Sequence, residues 1–446
     1  MARSRLRRPT SGSAPRSSAG YVLGLLFVGN LLNYYDRALP SVVLEPIKDE
    51  YGLDDTQVGV LASAFVLVAA VAGVPLGRLA DRIARRTVAG WGLLVWSAAT
   101  AAGGVLTSFW GFFASRVGVG VGESSYAPAT GSLLSDLYPS ERRSRAHSLF
   151  MLGFPIGTLL AFFTAGGLAV AFDSWRAPFL IAAVPGIVVG LLVLRIREPE
   201  RGAAEPTRAA TSATRGNRRK NLLSLLRVRS MYGMLLAFAG YNFAAYAIGT
   251  FLTPVLQRYY GLGLVSAGAV GGVVVGVTGL IGLLVGGRVL DRAARKSPAA
   301  RVQVAAVSLV GAAVLSLAGL AAGRGALWQL LVFLSLGYLL GIVYLAAAVP
   351  VVSDVIAPEQ RSGALGLMFA IGYLLGGAAG PVFVGALSDS LAAASGSAAA
   401  ASAHGLQTAM MITVPLAFAV AAIGMLLTSR FVQGDRATML ARETAA

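Results

Sequence analysis

The hydropathy pattern divides the chain into long apolar stretches separated by short polar connections. Twelve of these stretches have about the ~20 apolar residues that an α-helix needs to cross a lipid bilayer. We predict membrane helices at residues 21–43, 57–79, 88–106, 109–134, 147–171, 177–194, 231–256, 265–287, 302–323, 327–351, 364–388 and 408–429. The pattern therefore predicts an all-α membrane protein with twelve transmembrane helices.

Composition supports the same class of protein. Hydrophobic residues make up 56% of the chain and charged residues only 13%, and the mean hydropathy is +0.71. A soluble domain of this length does not have such a composition. The chain contains no Cys, which excludes disulfides and thiol chemistry.

The basic residues predict the orientation. Most of the 37 Lys and Arg residues lie in the terminal segments and in the loops that follow even-numbered spans. The exceptions are Lys48, Arg176, Arg258 and Arg324 in the other loops, and Arg37 and Arg116 inside spans. By the positive-inside rule both termini are cytoplasmic. We expect a plasma membrane of bacterial type, that is, an inner membrane. The basic segment 3–16 is expected to face anionic membrane lipid rather than nucleic acid.

The chain contains an internal repeat. The loop after the second span carries Gly77, Asp81, Arg82, Arg85 and Arg86, and the loop after the eighth span repeats this pattern as Gly287, Asp291, Arg292, Arg295 and Lys296. A second repeat relates Ser135-Asp136 to Ser353-Asp354. We therefore predict a six-helix bundle at 1–196, a basic cytoplasmic linker at 197–229 and a second six-helix bundle at 230–446. Such repeats place a substrate site at their interface, near mid-membrane.

Four charged residues lie inside predicted spans, where they are costly and usually functional. Asp36 and Arg37 belong to the first span, and Arg116 and Glu123 to the fourth. Asn33 shares a helical stripe with Arg37. One interpretation is that the charges form buried ion pairs that only hold helices together. Such pairs contribute little stability relative to apolar residues, so we favour a functional cavity.

The energy source is predicted to be a gradient. The sequence has no phosphate-binding Gly-x-x-x-x-Gly-Lys-Ser/Thr loop, and we expect neither a cofactor nor a metal. Desolvation favours the neutral form of a buried carboxylate, whereas a nearby Arg favours the charged form. Substrate arrival can therefore change the protonation of Glu123, our first candidate for proton coupling, with Asp36 as the second. Sodium coupling stays open, although no set of sodium ligands marks it.

The second half of the chain has a different character. Its spans contain no ionisable residue away from their ends other than tyrosines. We predict a substrate-tail site from Tyr241, Asn242, Tyr246, Phe369 and Tyr373. The alternative is that these aromatic residues pack helices or lie at the membrane interface. A charged wall opposite an aromatic wall suits an amphiphile.

These motifs resemble those of the major facilitator superfamily. The duplicated Gly-x-x-x-Asp-Arg loop is similar to the signature loop of that superfamily, with Ala84 in place of its usual glycine. Asn33-Tyr-Tyr-Asp-Arg37 and Gly120-Val-Gly-Glu-Ser-Ser-Tyr126 resemble the spinster family, whose members are linked to lysophospholipids and sphingoid lipids. The resemblance implies that Asp81 and Asp291 latch the outward-open state. The alternative is that these loops only set topology.

The sequence therefore predicts a proton-coupled transporter of an amphiphilic lipid, of the lysophospholipid or sphingoid type. We assign the headgroup site to Arg37, Arg116, Asn33 and Tyr126. The main rival is a proton-coupled symporter of small organic anions or sugar acids, in which the two arginines clamp a carboxylate. A channel or sensor and an enzyme are further alternatives that the motifs do not favour. We expect a monomer with protons and lipid as its partners.

Overall fold

The computed structural model describes residues 18–200, 225, 228–357, 360–394 and 398–445. Most of the predicted linker at 197–229 lies outside these residues. In the first half the helices are Ala19–Val42, Asp55–Arg82, Arg85–Gly103, Phe109–Ser124 with Tyr126–Leu137, Ser140–Met151 with Gly153–Ala171, and Ala177–Arg195. They are called the first to sixth helices below. A short helix, Leu44–Tyr51, follows the first.

Within the described residues of the second half, two of the six helices contain a π-helical turn. The seventh helix is Arg229–Arg258, the ninth Pro298–Leu320, the tenth Leu327–Val355 and the twelfth Ala398–Ala445. The eighth helix consists of Leu264–Gly271, the π turn Gly272–Val277 and Thr278–Ala294. The eleventh consists of Arg361–Gly372, the π turn Tyr373–Ala378 and Ala379–Ala393. Every regular element in the described residues is thus helical, as predicted.

Among these residues, nine helices are long and apolar enough to cross a membrane. The first, third and fourth helices are the other three predicted spans. The first and third helices are less apolar than the nine, the first because of its Asn and Asp residues and the third because of its Ser, Thr, Trp and Gly residues. The fourth is divided into two shorter helices by the break at Ser125. Several helices also extend beyond the predicted spans, because their polar end turns stay helical.

Local sequence determines where several helices begin. Asp54 and Gln57 form a capping box at the start of the second helix, with Asp54 Oδ1 accepting from the Gln57 N–H at 2.7 Å. Ser18 and Ser297 accept in the same way from N–H groups in the first turns of the first and ninth helices. These side chains satisfy backbone donors that a helix start leaves unpaired.

The two halves repeat the same packing. The first helix packs against the fifth, and the third against the fourth and sixth. In the second half the seventh packs against the eleventh, and the ninth against the tenth and twelfth. Equivalent helices of the two halves therefore make equivalent contacts.

The halves meet mainly on the side of the membrane opposite the termini, which we call the far side. There the Ser63 hydroxyl donates to the Ala378 carbonyl at 2.5 Å, and a Cβ at Gly59 would collide with the Pro381 carbonyl. Other hydrogen bonds that join the halves, made by Arg258, Asp389 and Ser388, lie on this side as well. We infer that the protein is closed on the far side and open toward the side of the termini.

Candidate functional site

The first and fourth helices are joined by an ion pair inside the first bundle. Arg37 Nε donates to Glu123 Oε2 at 2.6 Å. The Glu123 side chain is fully buried, whereas 28% of the Arg37 side chain is exposed. Asn33, one turn before Arg37, also faces Glu123. Arg37 is therefore the member of the pair that a molecule between the halves can reach.

Aromatic rings from both halves surround Arg37. Its guanidinium carbon lies 4.9 Å from the Tyr34 ring centroid and 5.2 Å from that of Phe65. From the second half, Tyr246 and Tyr373 lie within electrostatic range of Arg37. Sequence reasoning missed Tyr34 and Phe65. Tyr34 sits inside the Asn33-to-Arg37 motif, which was a usable signal, but nothing distinguishes Phe65 in its uniformly apolar helix.

The other two charges lie deeper in the first bundle. Asp36 and Arg116 are both buried, and they interact electrostatically without a direct ion pair. The Arg116 guanidinium carbon lies 5.6 Å and 5.1 Å from the ring centroids of Phe112 and Phe179. The four predicted charges therefore form one ion pair beside the opening and one separated pair behind it.

Glycines of the fourth helix bring these groups together. A Cβ at Gly122 would lie 2.7 Å from the backbone nitrogen of Trp96, and one at Gly120 would lie 3.1 Å from the Phe65 carbonyl oxygen. The fourth helix can thus approach the second and third helices closely.

Tyr126 lies apart from this group. Its ring is buried against Trp96, and its hydroxyl donates to the Leu26 carbonyl at 2.8 Å. In this conformation that hydroxyl is not available to a headgroup. Only the break at Ser125 separates Tyr126 from the end of Phe109–Ser124, and sequence spacing does not show how such a break redirects the side chains that follow it.

The predicted tail residues divide into two groups. Tyr246, Phe369 and Tyr373 are partly exposed, and the rings of Phe369 and Tyr373 stack at 6.2 Å. Tyr241 and Asn242 are buried instead. Tyr241 packs on Tyr344, and the Asn242 amide donates to the Phe238 carbonyl at 2.8 Å. The accessible aromatic wall is therefore Tyr246, Phe369 and Tyr373.

The first copy of the repeated loop is held within its own half. Arg85 is buried and pairs with Asp136 and with Glu198 Oε1, the latter at 2.6 Å. Arg86 donates through Nη1 to the Ile196 carbonyl at 2.7 Å. Burial alone would raise the pKa of Glu198, but hydrogen bonds from Arg85 and from two backbone N–H groups lower it below its usual value.

The other predicted gating residues lie on the side of the termini. Gly77 lies beside Pro128, which is 3.8 Å from the place of a Cβ. The remaining members are exposed in this conformation, namely Asp81, Arg82, Asp291, Arg292 and Arg295. The latch assigned to Asp81 and Asp291 concerns the opposite conformation, so it stays a prediction.

A polar network closes the far side, and sequence reasoning missed it. Arg258 of the seventh helix donates to both Glu45 carboxylate oxygens, at 2.8 and 2.6 Å, and to Asp55 at 2.9 Å. Lys48 also pairs with Asp55, at 2.5 Å. The available signal was that Lys48 and Arg258 are rare basic residues in far-side loops.

The same network includes a helix cap between the halves. Asp389, at the end of the eleventh helix, accepts from the N–H groups of Asp55 and Thr56 at 3.1 and 2.8 Å. Ser388 donates to Asp55 Oδ2 at 2.7 Å. A carboxylate from the second half thus caps the second helix of the first half, where the helix dipole favours negative charge.

Comparisons with known proteins agree with this architecture. The family model described as Major Facilitator Superfamily matches residues 26–381. An MFS-type efflux pump of Mycolicibacterium smegmatis is 33% identical over 371 residues, which cover 83% of this chain and 84% of that protein. The Danio rerio sphingosine-1-phosphate transporter SPNS2 is 28% identical over 82% of this chain and 76% of its own length. Human protein spinster homolog 1 is 28% identical over 85% of this chain and 75% of its own length.

Solved structures show the same fold. A bacterial homolog of the human lysosomal transporter spinster, crystallised in an inward-facing and unoccupied conformation, superposes with a TM-score of 0.85 at 24% identity, covering 95% of this chain and 99% of that one. A D-xylose–proton symporter gives a TM-score of 0.71 at 16% identity, covering 92% and 97%. The chain belongs to the major facilitator superfamily and is a transporter, not an enzyme, with spinster proteins among its relatives.

Proposed function

We propose that this protein is a proton-coupled transporter of an amphiphilic lipid, of the lysophospholipid or sphingoid type, that works by alternating access. The observation that carries the proposal is the position of Arg37. Its guanidinium pairs with the buried Glu123 on one side and lies among Tyr34, Phe65 and Tyr246 on the other. A phosphate or carboxylate headgroup suits the cation, and an acyl or sphingoid chain suits the aromatic wall.

The relatives support a substrate of this kind. One is named a sphingosine-1-phosphate transporter, a name that implies a phosphate on an apolar chain. Arg116 and Tyr126 are buried in the present conformation. Asn33 is buried as well, with its side chain toward Glu123. We therefore assign first contact with the headgroup to Arg37, and tail contact to Tyr246, Phe369 and Tyr373.

We further propose that the side of the termini is cytoplasmic and that the membrane is a bacterial-type plasma membrane. The distribution of Lys and Arg supports this orientation. Under it, the conformation described above is inward-open, with the far-side network as the external closure. Substrate would reach Arg37 from the cytoplasm or from the inner leaflet.

The Arg37–Glu123 pair supports the proposed proton coupling. With both carboxylates ionised, Asp36, Arg37, Arg116 and Glu123 sum to zero charge, and one proton on Glu123 leaves the group at plus one. The neutral carboxyl group no longer holds Arg37 as an ion-pair partner, so the guanidinium can take an anionic headgroup. Anionic and zwitterionic phosphate lipids should therefore bind better at mildly acidic pH, whereas neutral or purely cationic ones should not.

The rival function is proton-coupled symport of small organic anions or sugar acids. Such substrates need several hydrogen-bonding side chains on both walls of the cavity. On the second-half wall, Asn242 is buried, and its amide donates a hydrogen bond to the Phe238 carbonyl. The accessible residues of this wall are aromatic. This arrangement favours the lipid.

The test is transport in proteoliposomes, measured as both uptake and release, of a labelled lysophospholipid and a labelled hexuronate, with and without a pH gradient. We expect saturable lysophospholipid transport that the gradient drives. Saturable hexuronate transport without lipid transport would instead establish the rival function.

Two variants examine the coupling step. Glu123→Gln keeps the shape and a hydrogen-bond donor but cannot titrate, so accumulation should be lost while exchange stays measurable. Glu50→Gln is the control, because Glu50 also pairs with an arginine, Arg176, but within one half and away from the cavity. Accumulation at the parent rate in Glu123→Gln would move the coupling role elsewhere, first to Asp36.

A further inference from the structure

A second polar pocket lies behind the Arg37–Glu123 pair. It is formed by Asp36 of the first helix, Arg116 of the fourth, and Trp96 and Thr100 of the third. The exposed fractions of these residues are 3%, 4%, 0% and 0%. Nothing in the sequence pattern singled out Trp96 or Thr100, because the third helix has no charged residue within its predicted span.

Helical spacing places three residues of the third helix on the face toward this pocket. Trp96, Thr100 and Gly103 follow one another at i, i+4 and i+7 and therefore share one face. A Cβ at Gly103 would lie 3.2 Å from Arg116 Nη2. The face that carries Trp96 and Thr100 is thus the face against which the Arg116 guanidinium lies.

The polar atoms in this pocket are arranged to bond one another but do not. Thr100 and Trp96 face the Asp36 carboxylate. Nevertheless Asp36 Oδ1, Thr100 Oγ1 and Trp96 Nε1 have no hydrogen-bond partner among the described residues, and the same holds for Arg116 Nε and Nη2. Buried polar groups left unpaired are costly. A small shift between the first and third helices would allow them to pair.

We propose that Thr100 and Trp96 are positioning residues for Asp36, which hydrogen-bond its carboxylate and so determine the pH at which it takes up a proton. This inference rests on the proposed role of Asp36 as the second proton site. The two residues differ in chemistry, because an indole N–H only donates whereas a hydroxyl both donates and accepts. Trp96 therefore favours the ionised carboxylate, and Thr100 can serve both forms.

Few charged groups surround Asp36, so the neutral donors Thr100 and Trp96 have a large effect on its protonation. Arg116 and Glu123 act on it from the fourth helix, and Tyr35 is its neighbour on the first. The fifth helix has no charged residue in Gly153–Ala171, and the sixth has only Arg195, at its end. The seventh helix has charges only at its two ends. Of its tyrosines, Tyr246 faces Arg37, Tyr241 packs in the second-half core, and Tyr232 is exposed.

The experiment follows the protonation of Asp36 directly, without transport. The infrared carbonyl band of protonated Asp36, assigned by its absence in Asp36→Asn, is recorded in the full-length protein from about pH 5 to 10. Thr100→Val keeps the shape and removes the hydroxyl, Trp96→Phe removes the N–H and keeps an aromatic ring, and Thr100→Ser restores the hydroxyl. Thermal unfolding of each variant checks that the bundle is intact.

We expect the midpoint of the Asp36 titration to rise by about one to two pH units in Thr100→Val and in Trp96→Phe, because each removes a donor that can hydrogen-bond the charged carboxylate. In Thr100→Ser it should return to the parent value. Parent midpoints in both Thr100→Val and Trp96→Phe would overturn the proposal, as would a rise in Thr100→Ser equal to that in Thr100→Val. If the midpoints move as expected but the parent protein shows no gradient-driven transport, the proposed function fails while the positioning role stands.

Discussion

Removing Arg258 should open the far side of the transporter. Its guanidinium contacts Glu45 at two points and also Asp55, and it joins the seventh helix to the first half. Arg258→Gln removes the charge but keeps a polar side chain. The carboxylates then lose their main partner, and only Lys48 is left to neutralise Asp55.

The free-energy cost of removing Arg258 follows from how deeply its ion pairs are buried. Removing one partner of a buried ion pair costs ~3–5 kcal/mol. The side chains of Arg258, Asp55 and Glu45 expose 11%, 1% and 17% of their surface, and Lys48 remains. We therefore take the lower value, about 3 kcal/mol. Since 1.4 kcal/mol is a factor of ten, the equilibrium should shift about a hundredfold toward conformations with an open far side.

Distances between spin labels measure this shift. The chain has no cysteine, so introduced cysteines are labelled without background. Val105→Cys with Gly325→Cys reports on the far side, and Ile83→Cys with Gly363→Cys on the side of the termini; all four positions are exposed. In Arg258→Gln the first distance should lengthen and the second should shorten.

The control is Arg176→Gln. Arg176 makes an equally close pair with Glu50 on the same side of the membrane, at 2.5 and 2.6 Å, but within the first half. It should leave both distance distributions unchanged. The reasoning is refuted if Arg258→Gln also leaves them unchanged, or if Arg176→Gln shifts them equally.

Three further variants test other parts of the mechanism. Asp81→Asn should lower the outward-open population, which lengthens the label distance on the side of the termini; unchanged distances with normal transport would leave the loop as a topology signal. Arg37→Lys should reduce transport at least tenfold, because a point charge replaces a planar fork that binds phosphate at two points; full activity would contradict the headgroup assignment. Glu198→Gln should destabilise the protein by about 2 kcal/mol at pH 7, because Glu198 accepts from the buried Arg85. The pKa of Glu198 is lowered on folding, so its contribution is complete above the usual glutamate value of ~4.3 and is lost as the pH falls through the lowered value. Melting temperatures of variant and parent should therefore differ at pH 7 and converge near pH 3.

The helices, the repeat and the central ion pair were accessible from the sequence. Apolar length identifies spans, and the recurrence of Asp81 as Asp291 indicates the duplication. Arg37 and Glu123 were identified because charges inside a membrane helix are rare. In the structure these two residues form a direct ion pair.

The orientation of individual side chains was less accessible. Adjacent residues on a helix point about 100° apart, so spacing alone did not show that Asp36 would face the third helix while Arg37 faces the opening. Tyr241 and Asn242 precede Tyr246 by about one turn on the seventh helix, yet both are buried. The π turns of the eighth and eleventh helices also carry no composition signal that separates them from other glycine-rich membrane helix.

The far-side network was missed for a different reason. Arg258, Glu45 and Asp389 lie in connections or at helix ends, and they are far apart in the sequence. Their proximity depends on how one half docks on the other, which no local pattern encodes. The repeat identified the loops on the opposite side because duplication made them conspicuous.

The positions of these groups constrain how a proton and a substrate can drive the cycle. Arg37 and Glu123 both belong to the first half, so protonating Glu123 by itself changes no ion pair between the halves. A ligand shifts a conformational equilibrium only through its different affinity for the two states. Under the proposed mechanism the substrate must therefore touch both walls, with its headgroup on the freed Arg37 and its chain against Tyr246 and Tyr373, in order to favour closure on the side of the termini. That closure would in turn have to supply the roughly 3 kcal/mol that the far-side network contributes through Arg258. A small anion that binds Arg37 alone lacks the second contact, which is the physical reason for expecting an amphiphile.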